Sequence, residues 1–243
     1  MNKELKVDRT ALSYWFPLIE AAGVPVPRTK IIPMPRKVQG IIWRWFDGAG
    51  HGREFIQPFF DDLEKAAVTV GFPCFLRTDH TSGKHEWNRT CFLKSADDIP
   101  QHVFNLAEHS EICDFIGLPW DTWVVREYLP IIPYGSCPHY GNMPLCREFR
   151  FFVNDGAVRC WHPYWPTEAL ERGGAERVNY EALCRMDDEG ALTELATKAG
   201  EAVGGAWSVD ILETERGWYV TDMAEAHKSF HWEGCGANTE CTT

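Results

Sequence analysis

The sequence predicts an α+β fold, and three observations carry that prediction. Apolar residues recur at helical spacing in four separate stretches, while short apolar runs of strand length lie between them. Two of those runs flank Asn154-Asp155-Gly156, a strong hairpin signal. Two more enclose the polar turn Glu213 to Gly217 near the end of the chain. With 44% hydrophobic residues over 243 positions, the chain can bury a substantial core, as one large domain or two small lobes.

Taken in order, Asp8 is the expected N-cap of a helix through Leu12, Trp15, Leu18, Ile19 and Ala22, closed by Gly23, with Pro17 met by a kink or a later start. Residues 24–29, with two prolines, must be extended. Ile31-Ile32 and Ile41-Ile42-Trp43 read as short strands on either side of Pro33-Met34-Pro35, and Gly48, Gly50 and Gly52 mark a flexible connection. Phe55 to Val70 follows as a helix with Phe59, Leu63 and Ala66-Ala67 inside. Residues 72–77 and 89–94 read as two strands around a polar loop, and 96–110 as a helix on Ile99, Val103, Leu106 and Ala107. Trp123 to Leu129 is a buried strand, and Pro130 to Pro144 an insertion. A hairpin of 147–153 with 158–161, a helix over 193–203 and the final hairpin complete the chain.

Composition narrows the function. A net charge of -11 and a pI near 5.3 argue against a broad nucleic-acid footprint, yet 15 of the 24 basic residues are Arg, whose forked guanidinium grips phosphate oxygens. Nine cysteines without a Cys-x-x-Cys pair fit reduced thiols in a cytoplasmic protein. Met1 to Lys6 is charged and precedes no apolar segment, and no apolar run approaches the ~20 residues that span a bilayer. A cytoplasmic protein without a membrane segment is therefore expected, and its oligomeric state is left open.

The chemistry concentrates in a few places. Asp210 and Asp222 each end an apolar strand of the last hairpin, where a carboxylate gains from a cation beside it. They are either a magnesium site or two solvent-facing acids. Arg77 ends another apolar strand, immediately before Thr81-Ser82-Gly83-Lys84-His85. That placement suits either a phosphate or an ion pair. The loop itself is either an anion cradle or a solvated tip, and it lacks the spacing of a Walker motif. Alternation sets Glu148, Arg150 and Phe152 on one face of their strand, with a cross-strand salt bridge as the default reading. Cys137, His139 and Cys146 match no common zinc spacing. His227 to His231 is either an acceptor contact or a polar tail, and Trp161 to Trp165 either packs around a ligand or belongs to the core.

In this order Gly23 to Thr29, Pro73 to Arg77 with Ser82-Gly83-Lys84, Val124 to Leu129, Arg147 to Val153, Ser208-Val209-Asp210 and Tyr219 to Asp222 resemble the ATP-grasp superfamily. The middle section is most similar to the compact assembly-chaperone family of eukaryotic translation initiation, the cell division cycle protein family, and more distantly to tubulin tyrosine ligase-like enzymes. The resemblance implies two α/β lobes with a nucleotide cleft between them: a reduced N-terminal region over 1–50, an N-lobe over 51–129 and a C-lobe over 130–243. It implies that Arg77, Ser82, Gly83 and Lys84 meet the ATP phosphates and that Glu127, Tyr128 and Leu129 line the adenine hinge. Arg150 would meet the terminal phosphates and, with Lys84, serve catalysis. Glu148 would hold ribose or orient Arg150. Asp210, Asp222 and Glu225 would bind Mg2+, although the family's acid-x-Asn pattern reads Asp222-Met223-Ala224 here. The implied activity is ATP- and Mg-dependent ligation of a small-molecule, peptide or protein carboxylate to an amine or thiol through an acyl phosphate. The implied alternative is a non-catalytic ATP-binding assembly chaperone.

Overall fold

The computed structural model describes residues 8–48, 52–113, 117–176 and 178–232. Met1 to Lys6, Gly50, Cys235 and Cys241 lie outside them. In chain order the elements are α1 (Leu12–Ala21), β1 (Thr29–Pro33), α2 (Arg36–Phe46), α3 (Arg53–Val70), β2 (Cys74–Thr78), β3 (Phe92–Leu93), α4 (Ile99–Ile112) and β4 (Thr122–Glu127). After them come β5 (Gly135–Cys137), β6 (Met143–Leu145), β7 (Glu148–Asn154), β8 (Ala157–Pro163), α5 (Thr167–Arg172), α6 (Tyr180–Cys184), α7 (Glu189–Val203), β9 (Ala206–Thr214) and β10 (Gly217–Glu225). The chain divides into two compact units.

One unit comprises Arg28–Tyr128 with Tyr140–Met143 and holds an antiparallel sheet in the order β1-β4-β2-β3. Its core joins Leu76, Trp123 and Val125 of the sheet to Ile56, Phe59 and Leu63 of α3 and to Val103 and Leu106 of α4. The segment around Ile41-Ile42-Trp43 is helix α2, not a strand. Val38 and Ile42 stand four residues apart and are both buried, so one stripe of this segment reaches the core at helical period and Pro35 sits at its start. The 3-10 turn Ala96–Asp98 that leads into helix α4 carries a capping box, in which Ser95 and Asp98 satisfy each other's backbone donors.

The other unit comprises Met1–Pro27, Leu129–His139 and Pro144–Thr243, so the first helix packs with the end of the chain rather than with residues 28–50. Helix α1 starts at Leu12 and carries Pro17 within it; Asp8 does not cap it but accepts hydrogen bonds from the Thr10 backbone and hydroxyl at 2.9 and 2.7 Å. Asn154-Asp155-Gly156 makes the expected turn, with φ of 46° at Asp155 and 76° at Gly156, a sequence of left-handed residues that matches the twist of the flanking strands. The second sheet runs β10-β9-β7-β8, all antiparallel. Helix α7 covers one of its faces. Gly200 of that helix lies so close to Val153 that a Cβ would collide with it, which explains a glycine in a helix interior. The expected insertion 130–144 contains β5 and, with Leu145, β6, and helices α5 and α6 occupy segments with too few apolar repeats to announce themselves.

Candidate functional site

The covered face of the second sheet is apolar, carrying Phe149, Phe151, Val209 and Ile211, all fully buried. On the opposite face one transverse row carries chemistry. Arg150 on β7 stands opposite Asp210 on β9 and His162 on β8, and Asp210 stands opposite Asp222 on β10. The row therefore reads His162, Arg150, Asp210, Asp222 across all four strands.

A β-bulge builds this row. Val220 pairs with Ile211 and Asp222 with Asp210, leaving Thr221 as an extra residue on β10. Without that extra residue, Asp222 would fall opposite Val209 and turn toward the helix-covered side. The displaced Thr221 hydroxyl lies 3.3 Å from both Glu148 Oε1 and the Asp210 carbonyl, tying β10 to Glu148.

Arg150 donates from Nε and Nη2 to the two carboxylate oxygens of Asp210 at 2.7 and 2.8 Å. Its Nη1 reaches the Phe230 carbonyl at 3.4 Å, and its guanidinium lies 4.7 Å from the centre of the Tyr164 ring. Burial opposes the Arg150 charge, but Asp210 outweighs it through attraction and hydrogen bonding and holds the pKa above the ordinary arginine value. Asp222 faces Asp210 directly, and like charges in cross-strand register are destabilising unless a cation intervenes. Two carboxylates are the oxygen ligands that Mg2+ takes alongside phosphate and water. Among the described residues no three His, Cys, Asp or Glu side chains converge at metal distance. Glu225, the last residue of β10, alternates with Asp222 and gives its carboxylate to Lys228 at 2.9 Å.

His162 carries no sequence signal beyond its place among the aromatics. It is 4% exposed, with Nδ1 2.7 Å from its neighbour's carbonyl and Nε2 buried without a partner. Burial lowers its pKa, the Pro163 carbonyl counteracts, and the Arg150 charge lowers it further. Of the aromatic stretch, Trp161 sits against Phe149 and Phe151 on the apolar face, whereas Tyr164 stacks on Arg150. Cys137 contacts the Gly173 carbonyl at 3.6 Å and joins no metal cluster among the described residues.

The remaining expected residues lie in the first unit. Arg77, 6% exposed, ends the apolar part of β2 and donates Nε to the Thr78 carbonyl at 3.1 Å. The loop after it is no open tip: Thr81 Oγ1 accepts from the Gly83 amide, and the Gly83 carbonyl accepts from Thr90 Oγ1 at 2.7 Å. Gly83 has a φ of 57°, and a Cβ there would press on Leu106 and Thr90 at 3.1 and 3.2 Å, so glycine is required by the local packing itself. Ser82 is half-buried beside it, and Lys84 opens a short 3-10 turn. Burial pushes the Cys91 thiol up to about 12, and the positive charges of Lys84 and Arg77 oppose the rise. Glu127 accepts from Arg28 Nε at 3.0 Å. Tyr128 packs on Phe92 and Trp87, and the chain passes into the other unit between Tyr128 and Leu129, which is itself buried.

Each sheet with its helices builds an α+β unit, and together they define the class: this is an ATP-grasp fold. The chain belongs to an ATP-grasp domain family, the third family of its clade, whose model matches residues 62–231. Cdc123 from Schizosaccharomyces pombe is similar at 16% identity and a TM-score of 0.53, over 89% of this chain and 83% of that one. A RimK domain ATP-grasp protein from Sphaerobacter thermophilus DSM 20745 is similar at 14% identity and a TM-score of 0.48, over 89% of this chain and 58% of that one. D-alanine--D-alanine ligase from Bacillus anthracis, solved with ATP, is similar at 11% identity and a TM-score of 0.49, over 88% and 54%. The chain thus spans little more than half the length of these last two proteins, and at such identities the likeness is one of fold. No curated protein sequence matches. Among the described residues no helix is long and apolar enough to cross a membrane.

Proposed function

We propose that this protein is an ATP- and Mg-dependent ligase that activates a carboxylate as an acyl phosphate for attack by an amine or thiol. The observation that supports this most is the row Arg150, Asp210, Asp222, in which a guanidinium and two carboxylates stand in register on the face of an ATP-grasp sheet opposite helix α7. A bound magnesium ion would be held by Asp210 and Asp222 and would supply charge neutralisation at the phosphates; Glu225, opposite Trp207 and paired with Lys228, falls on the other side of β10 from Asp222. Arg150 has three of its five N–H donors engaged, so it can add hydrogen bonds to a terminal phosphate without giving up Asp210. Arg77 and Lys84 would hold the other phosphate oxygens with Ser82 and Gly83. Glu127, Tyr128 and Leu129 would line the adenine site, and Glu148, fixed by Thr221, would meet ribose or keep Arg150 in place.

Phosphoryl transfer needs positioning and charge stabilisation more than a protein nucleophile for the phosphate, and fixed cations outside bulk water supply both. A panel of carboxylates and amines with Mg-ATP tests the reading through release of ADP and phosphate. Acceptor-dependent ADP release is the expected outcome. Nucleotide binding with no ADP formation across the panel would favour the second reading, an ATP-binding assembly factor, which Ala224 in place of the family's Asn supports.

A further inference from the structure

Residues 226–232 run back across the face that carries Arg150. Ser229 Oγ meets Ser208 Oγ at 2.5 Å, the Phe230 carbonyl accepts from Arg150, and the Trp232 ring stacks on His162 with centroids 5.3 Å apart. Between these anchors His231 is pressed against Phe152 at 4.3 Å and places Nε2 3.0 Å from the sulfur of Cys160. Cys160 stands opposite Phe152, in the row next to Arg150 and His162 and on their face. Its surroundings differ from those of Cys74 on β2 and of Cys91, which are buried and whose thiols burial pushes up to about 12. Cys160 is a half-buried reduced cysteine beside an imidazole.

A second observation points the same way. His162 Nε2 and His231 Nδ1 are both buried without a hydrogen-bond partner, in rings 5.6 Å apart, beside the thiol. Buried polar nitrogens without partners are costly and rare, so two in one cluster mark a place suited to a polar group. An acyl group on Cys160 would bring a carbonyl oxygen into it.

We propose that Cys160 is the thiol nucleophile of this domain, with His231 as its base, and that it takes the acyl group from an acyl phosphate. The inference deepens the ligase reading and rests on it for the source of the acyl phosphate. As the sulfur attacks the acyl carbon, its proton passes to His231 Nε2. The C–S bond forms, the C–O bond to phosphate breaks and inorganic phosphate leaves. An amine then attacks the thioester, a C–N bond forms, the C–S bond breaks, the amine loses a proton and the thiolate takes one up. No oxidant or reductant is required.

Acetyl phosphate, the simplest acyl phosphate, tests this step without ATP, so its failure is distinguishable from failure of nucleotide binding. Incubated with the full chain, it should place one acetyl group on Cys160, located by peptide mass mapping and removed by neutral hydroxylamine, as a thioester is and a lysine amide is not. His231→Gln should slow both this acetylation and iodoacetamide alkylation of Cys160 on the order of 100-fold near neutral pH, with the difference closing at alkaline pH where hydroxide replaces the base. The wild-type mapping needs no variant, so a poorly folded His231→Gln chain would not shelter the proposal. Acetyl groups only on lysines, or on Cys113, which has its own histidine contact to His109 at 3.4 Å, would overturn it. So would equal alkylation rates in folded wild type and His231→Gln.

Discussion

Two arginines three residues apart on one chain segment, Arg147 and Arg150, both make paired hydrogen bonds to a carboxylate of β9, yet their surroundings are balanced differently. Arg147 pairs with Glu213 and, at 2.5 Å, with Asp187, and it also donates to the Arg185 carbonyl. Arg185 in turn shares Asp187 at 2.8 Å. Two cations thus meet two acids, and the set is closed. Around Arg150, by contrast, stand Asp210, which it pairs with, and Glu148 on its own strand, while Asp222 faces Asp210 from the next strand. The first is the arrangement of a structural bridge; in the second the paired carboxylate of Asp210 faces another carboxylate, Asp222, in cross-strand register. Pairing geometry alone does not distinguish them, and the row across the sheet in which each arginine stands does.

The largest effects should come from deleting each arginine. Arg147→Ala and Arg150→Ala should each cost about 3 kcal/mol of folding stability, since each leaves a poorly exposed carboxylate without its partner. Denaturant unfolding measures both. Only Arg150→Ala should also abolish stabilisation by Mg-ATP; equal retention in both variants would erase the distinction drawn between them.

The comparison also shows what was legible in the sequence. The paired acids, Arg150 and the hairpin that holds them were readable because strand alternation and Asn154-Asp155-Gly156 are local signals. That Asp210 and Asp222 share a row was not, because it depends on the extra residue Thr221, and alternation counted straight through β10 would turn Asp222 to the wrong face. The helix at 36–46 was missed for a related reason: Ile41-Ile42-Trp43 is a strand-like triplet whose helical stripe appears only when Val38 and Trp45 are counted with it. Lys228 taking Glu225, and Arg28 taking Glu127, are contacts between side chains that no motif records.

Next in size is the pH dependence. His162 and, in the other unit, His102 have pKa values lowered by burial. The unfolded chain therefore binds more protons than the folded one below the ordinary histidine pKa of ~6.5, and stability must fall as pH drops through that value toward the folded pKa. His162→Gln should flatten part of this slope in melts between neutral and mildly acidic pH, and His102→Gln another part. An unchanged slope in both would contradict the burial argument.

Smaller and of opposite sign are the acid variants. Asp222→Asn should raise the stability of the nucleotide-free protein by about 0.5 kcal/mol, because it removes a like charge facing Asp210, while weakening Mg-ATP binding. Glu213→Gln, in the closed set, should lower stability and leave binding unchanged. If Asp222→Asn is destabilising without nucleotide, repulsion between the facing carboxylates is not what strains the row. Smallest should be Ala224→Asn, which restores the family's residue opposite Ser208 and should tighten Mg2+ binding a few-fold in titrations with ATP present.

The most direct test of the whole account is the melting temperature of the unmodified chain with ATP, with and without Mg2+. At a ligand concentration ~100 times Kd, binding adds about 2.7 kcal/mol, and the account predicts a clear rise that requires Mg2+ and vanishes with a chelator. A melting temperature that Mg-ATP leaves unmoved at millimolar concentration would contradict it.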